Sequence, residues 1–169
     1  PLMLRAAGSL LIEHADKDIV ERVVPKLVNG EWGATICISE AQAGSDVGRI
    51  KTRAELQPDG TYKLTGSKIF ITYGDHDLTD QIVHLILART ADGPPGTRGL
   101  SLFLVPKINF DSDQKNAVSV STVEKKMGLK ASPTCILDLD GATGYRIGEE
   151  MRGLQCMFTM VNLMRLEVS

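Results

Sequence analysis

Residues 51–72, "KTRAELQPDGTYKLTGSKIFIT", decide the fold class. Apolar and polar residues alternate through Ala54 and Leu56, the chain turns at Pro58-Asp59-Gly60, and alternation resumes with Tyr62 and Leu64 before Ile69 to Ile71. Alternation with period two puts one face of a strand on a core, and a proline-aspartate-glycine turn reverses the chain, so the segment reads as a β-hairpin.

Strand signals continue outward on the C-terminal side. "QIVHLILAR" (81–89), "LSLFLV" (100–105), "AVSVSTV" (117–123) and "TCILDL" (134–139) are short apolar or alternating runs separated by turn residues, and another lies at Thr35 to Ile38. With no helical spans between them to make crossovers, they predict a mainly β fold, an antiparallel β-barrel over residues 32–147. Helical periodicity flanks it. In "ADKDIVERVVPKLVNGEW", Asp16 is placed to cap the helix and Ile19, Val23 and Leu27 recur at helical spacing. Asn29-Gly30 supplies the stop, and Pro25 is expected to bend or shorten the helix. After Gly148, Leu154, Phe158 and Val161 form a stripe beside Met157, Met160 and Met164, in a helix predicted to start near the acids Glu149-Glu150. Residues 1–31 and 148–169 are thus read as helical flanks, each the trimmed edge of a further helical domain in a longer protein.

Among 169 residues the formal charge is -2 and no lysine-arginine block concentrates positive charge, which argues against nucleic acid as the partner. No apolar run is long enough to span a bilayer. Cys37, Cys135 and Cys156 are odd in number, far apart and set in apolar contexts, as expected of reduced, buried thiols in a cytoplasmic protein.

Three stretches carry candidate chemistry. In "CISEAQAGSD" (37–46) small side chains bare the backbone, so its N–H groups and the hydroxyls of Ser39 and Ser45 suit close approach to a planar or phosphorylated ligand, or else form an ordinary glycine turn leaving a strand. In "GSKIFITYGD" (66–75), Phe70 and Thr72 share a face of the strand. An aromatic plane beside a hydroxyl fits a flat heteroaromatic ring, and it equally fits a core aromatic beside a surface threonine. In "KMGLKASPT" (126–134), Lys130 or Ser132 is placed to meet a phosphate or simply to face solvent. The run "GDHDLTD" (74–80) lacks the ligand spacing of a hard-cation loop, so no metal site is expected there, and His84 reads as a hydrogen-bonded strand histidine.

Taken in order, "WGATICISEAQAGSDV", "LTGSKIFIT", "ILAR", "MGLKASPT" and "GEEMRGL" resemble the acyl-CoA dehydrogenase family. Within it, "ITYGDHDLTDQIVHLILAR" and "PPGTRGLSLFLVPK" are most similar to the long bacterial branch that includes the 3-methylmercaptopropionyl-CoA dehydrogenases. The resemblance implies a flavin adenine dinucleotide (FAD) enzyme that takes an acyl-CoA to the trans-2-enoyl-CoA by α-proton abstraction and β-hydride transfer to flavin N5. It also implies a homo-oligomer that passes electrons to an electron-transfer flavoprotein. Carried onto this sequence, the cofactor-binding residues are Ile36, Cys37, Ile38, Ser39, Gly44, Ser45, Phe70, Ile71 and Thr72, with Ser45 also towards the acyl-CoA and the Thr72 hydroxyl on N5. Phe70 stands where the family commonly has tryptophan, Ser39 where it has threonine, and Ala41-Gln42 follows Glu40 where a proline is common. The resemblance puts the general base beyond Ser169, so no residue here is expected to be catalytic and no metal is implied. The alternative is a flavin-binding homologue that acts as a DNA-binding adaptive-response protein.

Overall fold

The computed structural model describes residues 2–168. Two helices, α1 (Leu2–His14) and α2 (Lys17–Val28), lead into seven strands: β1 (Trp32–Cys37), β2 (Arg53–Leu56), β3 (Tyr62–Thr72), β4 (Gln81–Thr90), β5 (Leu100–Pro106), β6 (Val118–Val123) and β7 (Thr134–Ile147). Helix α3 (Gly153–Val168) follows.

The hairpin at 51–72 forms as β2 and β3, paired antiparallel from Arg53–Thr65 to Leu56–Tyr62. From there the pairings run β2–β3, β3–β7, β7–β5, β5–β4 and β4–β2, so they return to their starting strand. The expected all-antiparallel arrangement is corrected, because the sheet is mixed: β1 and β2 both run parallel to β4, end to end along one of its edges. A tight turn can join only antiparallel neighbours, and the connection from β1 to β4 contains the whole hairpin, long enough to bring the chain back in the same direction.

Two cores result. The inner one takes residues from every strand, among them Cys37, Ala54, Leu64, Ile71, Ile86, Phe103, Val118 and Leu137. The outer one packs Val83, Leu85 and Leu87 of β4 and Leu100, Leu102 and Leu104 of β5 against Leu10, Leu11, Leu27, Met157 and Met160 of the three helices. Strands β4 and β5 therefore alternate between two apolar environments, which is why their sequences read as unbroken apolar runs.

The helical flanks differ in detail from expectation. Helix α2 runs through Pro25 to Val28, and the Pro25 carbonyl still accepts from Asn29 N at 3.0 Å, so the proline removes one donor without ending the helix. Helix α3 begins at Gly153 rather than at Glu149-Glu150, because Gly148 and Met151 are left-handed, with φ of 71° and 63°. Its buried face is Gly153, Cys156, Met157 and Met160, whereas Phe158 of the expected stripe is exposed. A β-carbon on Gly153 would fall 2.3 Å from the Ser101 carbonyl carbon, so glycine lets the helix start directly on β5.

Candidate functional site

Strand β1 ends at Cys37 inside the inner core, and the chain leaves the sheet through Ile38 and Ser39 into a tight turn. Glu40 N donates to Ala43 O at 3.0 Å and Ala43 N to Glu40 O at 2.9 Å, with Ala43 fully buried. Gly44, Ser45 and Asp46 then lie on the surface. A β-carbon at Gly44 would meet nothing within 4 Å, so neither crowding nor a left-handed backbone demands glycine there, and its smallness leaves the backbone bare on the open side.

Strand β3 arrives beside this loop and changes partner. Its register with β7 shifts between Lys68 and Ile71, and Ile69 N donates to Ser39 O at 2.9 Å instead of to β7. In the bulge Phe70 takes a left-handed backbone, φ 62°, and its ring is 62% exposed. Thr72 is exposed as well, while Ile71 between them is buried. Phe70 and Thr72 are thus both exposed, with the aromatic outside the core.

Beneath this surface lies a charged cluster that the sequence reading did not single out. Lys68 is fully buried and Glu40 is 4% exposed, with Lys68 Nζ 2.8 Å from Glu40 Oε1 and 3.0 Å from the Ile38 carbonyl oxygen. Glu40 Oε1 also accepts from Thr52 N at 3.1 Å and Thr52 Oγ1 at 2.6 Å, and Oε2 accepts from Lys51 N at 2.7 Å and from Gln42 Nε2. Burial pushes the Glu40 carboxyl up, but the Lys68 ammonium and these hydrogen bonds outweigh it and hold the group down at about 2. Burial likewise pulls the Lys68 ammonium below its ordinary value, against the opposing pull of Glu40. The signal was present: Lys68 falls in the same inward phase of β3 as Tyr62 and Leu64, where a charge needs a partner.

The predicted site residues thus divide. Ile36, Ile38 and Ser39 are half-buried, and Gly44, Ser45, Phe70 and Thr72 are exposed. Cys37 and Ile71 turn their side chains into the inner core and can offer a ligand only their backbone. The Cys37 thiol, 3.2 Å from Thr35 Oγ1, is pushed up to about 12 by burial. The hydroxyls of Ser39, Ser45 and Thr72 form no side-chain hydrogen bond among the described residues. The loop 126–134 reaches the same region, since Tyr73 N donates to Pro133 O at 2.9 Å and Tyr73 Oη to Ala131 O at 3.0 Å. A groove of about 680 Å³ lies elsewhere, between α1 and α2, and is lined by Leu4, Gly8, Ile12, Val24 and Val28 rather than by any of these residues.

Asp75, His76 and His84 have internal partners. Asp75 is 2.6 Å from Lys107 Nζ, and His76 Nδ1 accepts from Leu78 N. His84 is buried with Nδ1 2.8 Å from Thr35 Oγ1, as expected of a strand histidine, and burial lowers its pKa to about 4. No helix among the described residues is long and apolar enough to cross a membrane.

A flat ligand presented to the loop-strand surface would meet a bare backbone at Gly44, an exposed aromatic face at Phe70 and three unengaged hydroxyls. Such a donor set fits the polar edge and apolar face of an isoalloxazine ring.

Comparison with known proteins points the same way. The family model described as "Acyl-CoA dehydrogenase, middle domain" matches residues 35–142. A 3-methylmercaptopropionyl-CoA dehydrogenase from Ruegeria pomeroyi is 49% identical over 147 residues, covering 85% of this chain and 25% of that protein. Among solved structures, Caenorhabditis elegans ACDH-11 in complex with C11-CoA is 32% identical, with a TM-score of 0.83 over 97% of this chain and 29% of that one. An acyl-CoA dehydrogenase complexed with FAD from Bacillus anthracis is 29% identical, with a TM-score of 0.77 over 94% of this chain and 25% of that one. The chain spans 25% and 29% of the length of the first two curated relatives it matches.

Proposed function

The chain belongs to the acyl-CoA dehydrogenase family, and from that premise we propose that its loop-strand surface is the flavin-facing part of an FAD-dependent enzyme that oxidises an acyl-CoA thioester. The observation that carries this reading is the fastening of residues 38–40 to 68–69: two stretches 30 residues apart in sequence form one surface with an exposed ring and free hydroxyls.

In this reading residues 32–147 are the central domain between two helical ones. The backbone at Ile36, Cys37 and Ile38 and the Ser39 hydroxyl hold the pyrimidine edge of the flavin. Phe70 covers a ring face with Ile71 contributing backbone, and the Thr72 hydroxyl hydrogen-bonds the N5 edge. Gly44 admits the ligand closely, and Ser45 lies towards the acyl-CoA. When bound, the flavin supplies the acceptor for the hydride that leaves the β-carbon. The residues here bind and orient it and keep water from its covered face, since a dry, donor-lined environment favours charge entering a ring. The general base belongs to a part of the protein outside this chain. Electron-transfer flavoprotein is the proposed acceptor and a homo-oligomer the proposed assembly. The 49% identity supports placement near the 3-methylmercaptopropionyl-CoA enzymes, and no observation favours the DNA-binding alternative.

The test is a titration of the full-length protein with FAD, followed by addition of saturated acyl-CoAs of graded length under anaerobic conditions. A perturbed flavin absorbance that bleaches with one of them is the expected result. A protein that takes up no flavin, or whose flavin no acyl-CoA reduces, would refute the proposal.

A further inference from the structure

We propose that the buried Glu40–Lys68 pair is a positioning device for the flavin, setting the relative placement of the two stretches that touch it; this rests on the flavin reading above.

The connectivity carries the inference. Between Lys68 and Ile71, β3 gives up its register with β7, and the strand is held there by the 38–40 loop through Ile69 N and Ser39 O. That loop is held in turn by Lys68, which grips both the Ile38 carbonyl and the Glu40 carboxylate. Glu40 is anchored from the far side by Lys51 N, Thr52 N and Thr52 Oγ1 at the entry to β2, and by Gln42 within its own turn. One carboxylate therefore receives five donors and ties three segments together. Phe70, two residues beyond Lys68, sits in a left-handed backbone that only a well-determined surrounding maintains.

Burial energetics separate this role from plain stabilisation. Taking an ammonium and a carboxylate out of water costs enough that well-packed apolar residues of the same volume commonly serve stability as well or better. What such a replacement lacks is direction: a methionine at 68 cannot grip the Ile38 carbonyl or the side chain of residue 40, so it fills space without fixing where residues 38–40 stand relative to 68–72. A ring held by hydrogen bonds from one stretch and a side-chain face from the other is sensitive to that relation, because a hydrogen bond stretched or misaligned by a shift between the two weakens steeply.

The test compares wild type, Lys68→Met and the double variant Glu40→Gln/Lys68→Met in the full-length protein. Thermal midpoint without flavin, FAD dissociation constant and the bound-flavin absorbance spectrum are recorded for each. Lys68→Met alone, leaving a buried carboxylate uncompensated, is expected to lower both the midpoint and FAD affinity. In the double variant the midpoint recovers towards wild type while FAD affinity stays about tenfold weaker and the spectrum moves towards that of free flavin. A double variant that regains wild-type affinity and spectrum along with its midpoint overturns the proposal, since the pair would then be structural only. Wild type that takes up no FAD overturns the flavin reading instead. Thr52→Val guards against a double variant that does not fold: it removes one hydroxyl donor to Glu40 and no charge, and is expected to weaken FAD binding about threefold. FAD affinity left intact by Thr52→Val, with only the midpoint lowered, likewise counts against a positioning role.

Discussion

Lys68 and Phe70 are two residues apart on one strand and occupy opposite surroundings. The cation is fully buried and every partner it has is protein, while the aromatic is 62% exposed in a left-handed backbone. Simple burial preference would assign them the other way round. The inversion teaches that the interior at this end of the sheet is arranged for placement, and that the exposed ring is left available for something outside the chain.

If the interior holds the surface in place, acid should loosen it, and this is the largest effect expected. His84, buried and neutral, has a folded pKa of about 4 against an ordinary 6.5. The unfolded chain therefore binds its proton first, and stability falls as pH drops from 6.5 towards 4, by up to about 3 kcal/mol. Glu40, at about 2 against an ordinary 4.5, contributes stability that is present above 4.5 and is lost as pH falls towards 2, again by about 3 kcal/mol. Thermal midpoints measured across pH should show two successive declines, the upper one absent in His84→Gln and the lower one in Glu40→Gln. A midpoint that is flat between pH 6.5 and 4 in wild type would break the comparison at its buried side.

A second way to sharpen it lies at Gly66, the last inward position of β3 before Lys68. Its φ is 153°, and a β-carbon would come within 2.5 Å of Thr52 Oγ1 and 2.9 Å of Thr52 Cα. Gly66→Ala should cost about 2 kcal/mol in chemical denaturation by pushing Thr52 away from Glu40. An unchanged denaturation midpoint would mean that the cluster is more compliant than its hydrogen bonds imply.

The smallest expected effect is on the exposed side. Phe70→Gly removes a side chain that packs little and relieves its left-handed backbone, so stability should stay within about 1 kcal/mol of wild type or rise slightly. FAD affinity should fall all the same. A marked loss of stability instead would mean that Phe70 belongs to the core after all.

Much of this was legible before folding. The hairpin and the remaining strands follow from alternation and turn residues, the bare loop leaves β1 where it is read, and Phe70 and Thr72 are both exposed. The misreadings share a cause. Helix α3 carries two stripes of the same period, Leu154-Phe158-Val161 and Gly153-Cys156-Met157-Met160, and the second is buried although two of its members are small. Periodicity gives the spacing of a stripe and not which one finds a partner. Lys68 carries a signal in its inward phase on β3, but Glu40, in the loop, looks like a surface charge, and nothing local in the sequence pairs the two. Only their meeting across 28 residues makes burial tolerable.

The sequence by itself determined the local elements, their order and the chemical character of the loops, since these depend on neighbours a few residues apart. The tertiary structure alone decided that β1 and β2 run parallel to β4 and that a buried ion pair joins the stretches 38–40 and 68–69. Those outcomes depend on contacts between residues far apart in the chain, where strand direction and charge pairing are set by which surfaces meet.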